Sequence, residues 1–448
     1  MFVESVTMCR RRTLALLSIL SIVCASTAAD SVNCLASENH YECRLNTMTP
    51  YRFIANLNDS ELKYSGCEAT KIWMFFRHGT RYPGKKWATT LIDKLPTIRD
   101  SIAKSNDLGD GTLTDEEAEL LRNWEISFSS ADAMYLAPEG ERELVSLAER
   151  FQSRYPLLMP EIYSNQTYTF KYTATQRAEE SAKHFALGLF GRKQSREVWY
   201  PQPEYKDPVL RFYKRCKRWR EEIDNNPESY RETEKFVNST IIVKMLSEVS
   251  ERVGFEVDYD TVRLIYTICG FETAWNEKKN SPWCSLLSLE HFKVFEFAND
   301  LQYYWIDGYG YPLTYQQSCV AMKDMFDFFQ SDHETKVRAY FTHSGALLKL
   351  LGLLGIARDE SPLTHDSFSY EENRHWRTTR IDAFASSIVF VLYDCKTQGP
   401  SILLLHQERA VQLPGCPVDT PCPLSTMKNN YPDTEAECQF DEICAIEL

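Results

Sequence analysis

The run Arg77-His78-Gly79-Thr80-Arg81-Tyr82-Pro83 places two guanidinium groups and one imidazole within five positions. Guanidinium groups match phosphate oxygens as a bidentate fork. An imidazole held neutral, with its proton on one nitrogen, can attack phosphorus in line with the other. Such a segment would collect a tetrahedral anion and accept its phosphoryl group on His78. Gly79 is expected to let the backbone approach a ligand closely, and Tyr82-Pro83 to stop the preceding strand. Thr80, Lys85 and Lys86 are expected to contact the substrate, the two lysines lying just beyond the histidine loop.

These side chains need elements to position them. Lys71–Phe76 is a near-continuous apolar run of strand length, and Arg77 and His78 follow it at once. Tyr168–Thr175 alternates aromatic and polar residues as a second strand, with Arg177 after it. Arg338–Thr342 is a third short strand, ending at His343, and Ser386–Tyr393 is a fourth that Ser401–Leu405 should pair with. Helical spacing covers 139–155, 179–189 and the apolar segment 346–354. Strands separated by long helical stretches predict an α/β fold, a mainly parallel sheet with helices on both faces. In such sheets ligands bind beyond the carboxyl ends of the strands, where Arg77, His78, Arg177 and His343 converge. Residues 205–300 read as mostly helical, with little strand pattern, and as an inserted cap. The organisation expected is therefore a signal segment over 1–29, core over 30–204, cap over 205–300, and core with a Cys-rich end over 301–448.

The leader reading rests on Arg10-Arg11-Arg12, the apolar stretch Thr13–Cys24 and the small residues before Asp30. The stretch is too short for a comfortable membrane span of about 20 residues. Export changes how the cysteines are read: twelve remain after the leader, an even number that implies disulfides with undetermined connectivity. No CxxC pair has the histidine spacing of a zinc site, so neither metal nor other cofactor is expected. Sequons at Asn58, Asn165 and Asn238 fit glycosylation in the secretory pathway. A formal charge of −13 argues against nucleic acid as a partner. An anionic substrate therefore requires positive charge concentrated in one cleft. A second basic run, Lys214-Arg215-Cys216-Lys217-Arg218-Trp219-Arg220, is either part of that cleft or a solvated helix face. The last four residues, Ala445–Leu448, faintly resemble an endoplasmic-reticulum retention tail.

The first motif resembles the RHGxRxP signature of the histidine acid phosphatases. Its Thr-Arg-Tyr-Pro form, with Phe75-Phe76 before it and Lys86 after it, is similar to the multiple inositol polyphosphate phosphatase branch, as is Ile388–Cys395. The resemblance implies a metal-independent phosphomonoesterase acting on inositol polyphosphates through a phosphohistidine. In that scheme His78 is the nucleophile, Arg77, Arg81 and Arg177 clamp the phosphoryl group, and His343 donates a hydrogen bond to it. It leaves open a general acid phosphatase, a bisphosphoglycerate phosphatase, or a phosphate binder with little turnover. One departure stands out. The family usually carries a carboxylate one or two residues after the second histidine, as general acid. This chain has His343-Ser344-Gly345. A glutamate introduced at Gly345 is therefore expected to speed turnover.

Overall fold

Strand β1 (Cys67–Arg77) is the centre of the molecule, and its composition explains why. Ile72 through Phe76 are all fully buried. Trp73 and Phe75 join one hydrophobic cluster, and Ile72, Met74 and Phe76 join another. A strand with both faces covered by core reads as a continuous apolar run, whereas one with a wet face alternates. The computed structural model describes residues 32–36, 39–370 and 373–446. The expected leader and the end of the expected retention tail lie outside them.

The other strands are β2 (Tyr168–Tyr172), β3 (Val337–Thr342), β4 (Ser387–Cys395), β5 (Gly399–His406), β6 (Arg409–Ala410) and β7 (Cys422–Pro423). Their order is β2-β3-β1-β4-β5-β6, with β7 on β5. The sheet is mixed where a mainly parallel one was expected. Only β2-β3 and β3-β1 pair in parallel, and every pairing from β1-β4 onward is antiparallel. The connections dictate this: three residues join β4 to β5, and so short a link can only reverse the chain. β4 itself starts beside the C-terminal end of β1, with Arg77 N–H donating to the Ser386 carbonyl, and so runs back along it.

Helices cover both faces. One layer holds α1 (Lys85–Leu108), α4 (Thr240–Val253), α5 (Tyr259–Trp275), α6 (Leu289–Asp307), α7 (Cys319–Gln330) and α8 (Ser344–Leu354). The other holds α2 (Pro138–Arg154) and α3 (Gln176–Gln194). Residues 205–300 contain no strand, and α1 shares their hydrophobic cluster. The twelve cysteines after the leader form six disulfides. Cys67–Cys395 closes the open ends of β1 and β4, and Cys216–Cys444 and Cys319–Cys438 tie the C-terminal segment to the helical layer. Among the described residues no helix is long and apolar enough to cross a membrane.

Candidate active site

Strand register builds the centre of the site. Arg77 lies opposite Thr342 in the parallel pair, so the next residues, His78 and His343, leave the sheet side by side. Their ring centroids are 5.4 Å apart. His78 N–H donates to the Thr342 carbonyl at 3.0 Å, and Ala385 N–H donates to the His78 carbonyl at 3.1 Å, so the backbone is held from both neighbouring strands. The His78 side chain is buried, and its Nδ1 lies 2.9 Å from the Gly79 carbonyl. A carbonyl only accepts, so Nδ1 carries the proton and Nε2 keeps its lone pair.

On the far side of β3, Thr173 follows β2 and its hydroxyl meets His343 Nε2 at 3.0 Å. Arg177, the second residue of α3, donates from Nη2 to His343 Nδ1 at 3.3 Å. A guanidinium only donates, so His343 accepts at Nδ1 and donates from Nε2 to Thr173. Both α3 and α8 begin here, so two helix N-termini add partial positive charge to the same space.

Arg77 is buried with its guanidinium 4.5 Å from the Phe384 ring centroid. It donates to the Asp382 carbonyl and faces the Asp382 carboxylate at 3.7 Å. Arg81 donates to the Tyr82 carbonyl at 2.8 Å. Burial, then the charges of Arg177 and Arg77, pushes Arg81 down to about 9. Burial likewise lowers Arg177, to about 10, with Arg211 and Arg77 adding to it. Both remain charged at neutral and acid pH. Burial, then Arg177, His343, Arg77 and Arg81, holds His78 well below the usual histidine range. His343 is lowered the same way, by burial first and then Arg177 and Arg211. Both effects favour the neutral imidazole that must attack.

Arg211 escaped the sequence reading. Its loop is pinned twice: the buried Asp207 carboxylate accepts from Val209 N–H at 2.8 Å and Leu210 N–H at 2.7 Å, and the Thr342 hydroxyl donates to the Leu210 carbonyl at 2.5 Å. Asp207 is in turn paired with Lys171 of β2 at 2.6 Å. A usable signal was present, since Arg211 is the one charge in the apolar run Val209-Leu210-Arg211-Phe212-Tyr213. A buried lone cation needs an anion. The Nε groups of Arg77, Arg177 and Arg211 are all buried with no hydrogen-bond partner among the described residues.

Other expected residues are placed differently. Thr80 is fully buried and turned from the cluster, its N–H and hydroxyl donating to Glu143 at 2.7 and 2.8 Å. It holds the loop to α2, where a substrate contact was expected. Gly79 is also explained by α2: a Cβ there would come 2.7 Å from the Gly140 carbonyl oxygen, so its tight neighbour is a helix backbone. Lys85 and Lys86 are exposed on the first turn of α1. In the second basic run, Arg218 pairs with Glu222 at 3.0 Å on a partly exposed face. The sequon residues Asn58, Asn165 and Asn238 are all exposed.

The family model described as histidine phosphatase superfamily (branch 2) matches residues 70–407. The chain belongs to that superfamily. As a branch 2 histidine phosphatase it is 32% identical to multiple inositol polyphosphate phosphatase 1 of Drosophila melanogaster, over 88% of this chain and 86% of that one. It is 26% identical to the Homo sapiens protein of the same name, over 87% and 84%. Among solved structures, the phytase from D. castellii superposes with a TM-score of 0.74 at 18% identity, covering 90% of this chain and 88% of that one. The Bifidobacterium longum multiple inositol polyphosphate phosphatase, crystallised with inositol hexasulfate, gives 0.64 at 13%, covering 86% and 96%. The latter two likenesses establish the histidine phosphatase fold, with its sheet flanked by helices.

Proposed function

We propose that this histidine phosphatase hydrolyses phosphomonoesters of inositol polyphosphates, without a metal, through a phosphohistidine at His78. The observation that carries the reading is a buried imidazole, its Nδ1 committed to the Gly79 carbonyl, among guanidinium groups drawn from three separate parts of the chain. Arg77, Arg81, Arg177 and Arg211 clamp the transferring phosphoryl group, and their charges oppose the negative charge that spreads over its oxygens. His343 stands beside His78 with both ring nitrogens engaged, by Thr173 and Arg177, and serves the phosphate site by fixing Arg177. Asp382 and Phe384 hold Arg77 in place. Lys85 and Lys86 offer exposed charge for the remaining phosphates of a polyanion. The likeness to proteins named as inositol polyphosphate phosphatases supports the substrate class.

Six disulfides and three exposed sequons support passage through the secretory pathway, ending outside the cell or in the endoplasmic reticulum lumen. The test is free phosphate released from inositol hexakisphosphate, p-nitrophenyl phosphate and a phosphopeptide, with and without His78→Ala. Preference for the inositol ester, abolished by His78→Ala, is expected. Equal efficiency on all three contradicts the substrate class, and release that survives His78→Ala contradicts the mechanism.

A further inference from the structure

Transfer of a phosphoryl group from an alkyl ester leaves an alkoxide, a poor leaving group unless it is protonated as it departs. The motif position for such an acid holds Gly345, which has no side chain to give. The space is nonetheless filled by a carboxylate. A Cβ built on Gly345 would lie 2.9 Å from Asp307 Oδ1, and the next nearest side-chain nitrogen is Lys349 Nζ at 3.8 Å. Asp307, the last residue of α6, thus puts its carboxylate where a side chain from position 345 would begin, two residues past His343. Its electrostatic neighbours locate it further. The Asp307 charge is felt at Tyr213 together with those of Arg211 and Arg177, and at Tyr303 together with those of Arg77 and Asp382. It therefore lies within electrostatic range of the groups that surround the arginine cluster.

We propose that Asp307 is the proton donor of the reaction, a carboxylic acid supplied by α6 in place of one at position 345. This deepens the phosphohistidine reading and rests on it. Two observations favour Asp307 over Asp382. Asp382 is completely buried, with Oδ2 accepting from the Ser344 hydroxyl and facing Arg77 and no part of its side chain exposed to a leaving group or to water. The Asp307 side chain is 15% exposed, so it can meet a leaving group and, later, water. Its aim is set by Lys349, a fully buried lysine whose ammonium lies 4.1 Å from the Trp219 ring centroid and donates to Asp307 Oδ1. That leaves Oδ2 available to the leaving group.

In the first step the His78 Nε2–P bond forms and the P–O bond to the alcohol breaks, the electron pair leaving on oxygen, which takes the Asp307 proton. In the second, water attacks phosphorus and gives a proton to the Asp307 carboxylate. The N–P bond breaks, its pair returns to Nε2, and phosphate departs. The geometry also reverses the expectation for Gly345→Glu. A side chain there would collide with, and repel, the carboxylate already present, so that variant slows turnover.

The test compares an alkyl ester, inositol hexakisphosphate, with p-nitrophenyl phosphate, whose phenolate leaves without a proton. Asp307→Asn is expected to lower the alkyl rate about 10²–10⁴-fold while the aryl rate stays within about tenfold. Gly345→Ala, which pushes on the carboxylate without removing charge, is expected to bias the rates in the same direction. It carries the test if Asp307→Asn loses its cooperative melting transition. Equal losses on both esters, or no loss on either, overturn the proposal. Release that survives His78→Ala instead removes the phosphohistidine reading, and the two failures are thereby told apart.

Discussion

Replacing Arg211 by alanine removes a charge that no recognised motif contains, and it separates function from stability. The Arg211 side chain has few fixed partners: Nη1 donates to the Tyr205 carbonyl at 3.3 Å, the guanidinium lies 5.1 Å from the exposed Tyr205 ring and hydrogen-bonds the Tyr213 side chain, and Nε is buried with no hydrogen-bond partner among the described residues. Its charge disfavours protonation of His343 and adds to the lowering of Arg177. Losing it therefore relieves repulsion in the unliganded site. A hydrogen bond to a charged group contributes roughly 1.5–3 kcal/mol, and tenfold in rate is about 1.4 kcal/mol. Arg211→Ala should thus lower kcat/KM about 10- to 150-fold with inositol hexakisphosphate. The melting temperature should hold within roughly 2 °C, the shift that about 1 kcal/mol produces in a large domain. Arg211→Lys, which keeps the charge but loses the fork, should fall between. The assays are steady-state phosphate release and thermal melting on the same preparations. A kcat/KM within about threefold of wild type, or a parallel collapse of stability, would refute the assignment of Arg211 to the phosphate site.

Thr80→Val removes the hydroxyl that bonds Glu143, a buried carboxyl that burial already pushes up to about 7. It should cost roughly 1–3 kcal/mol of stability in denaturant melts while KM changes less than about twofold. A raised KM with unchanged stability would restore Thr80 as a substrate contact. Asp382 makes a pH prediction. Burial raises its carboxyl from 3.8 to about 7, so between about pH 4 and 7 the folded state holds a proton that the unfolded state has released. Stability from this group is complete below pH 4 and is withdrawn as pH rises to 7, by up to about 1.4 kcal/mol per unit. Asp382→Asn should therefore lose less stability between pH 5 and 7 than wild type, by urea melts at each pH, and an identical slope would contradict the buried-acid assignment.

Much of the fold was legible because it is written in local periodicity. The expected strand 71–76 falls within β1 and contains its fully buried residues 72–76, and 338–342 falls within β3. The helix expected over 346–354 extends back to Ser344, with the His343 carbonyl accepting from Leu347 N–H. What escaped was long-range. Nothing local to Ser386–Tyr393 says that it runs antiparallel to a strand more than 300 residues earlier, which turns the sheet from mainly parallel to mixed. Within the site, His78, Arg177 and His343 could be found because each follows a strand, and parallel register then brings those strand ends together. Arg211 follows no strand and arrives on a loop tied to β3. Thr80 was misplaced for the opposite reason: its neighbours do chemistry, but alternation along the loop turns its hydroxyl toward α2. The role of Gly345 was invisible too, because the carboxylate beside it comes from residue 307.

The central claim is that one nitrogen of one histidine carries the phosphoryl group. Wild-type protein mixed with inositol hexakisphosphate, quenched in alkali within the first turnover and digested, should yield a phosphopeptide containing residue 78. Its phosphate should sit on Nε2, because Nδ1 is committed to the Gly79 carbonyl, and should be lost in acid. Phosphate on Nδ1, phosphate on another residue, or undiminished turnover with no phosphoenzyme at His78 would contradict it.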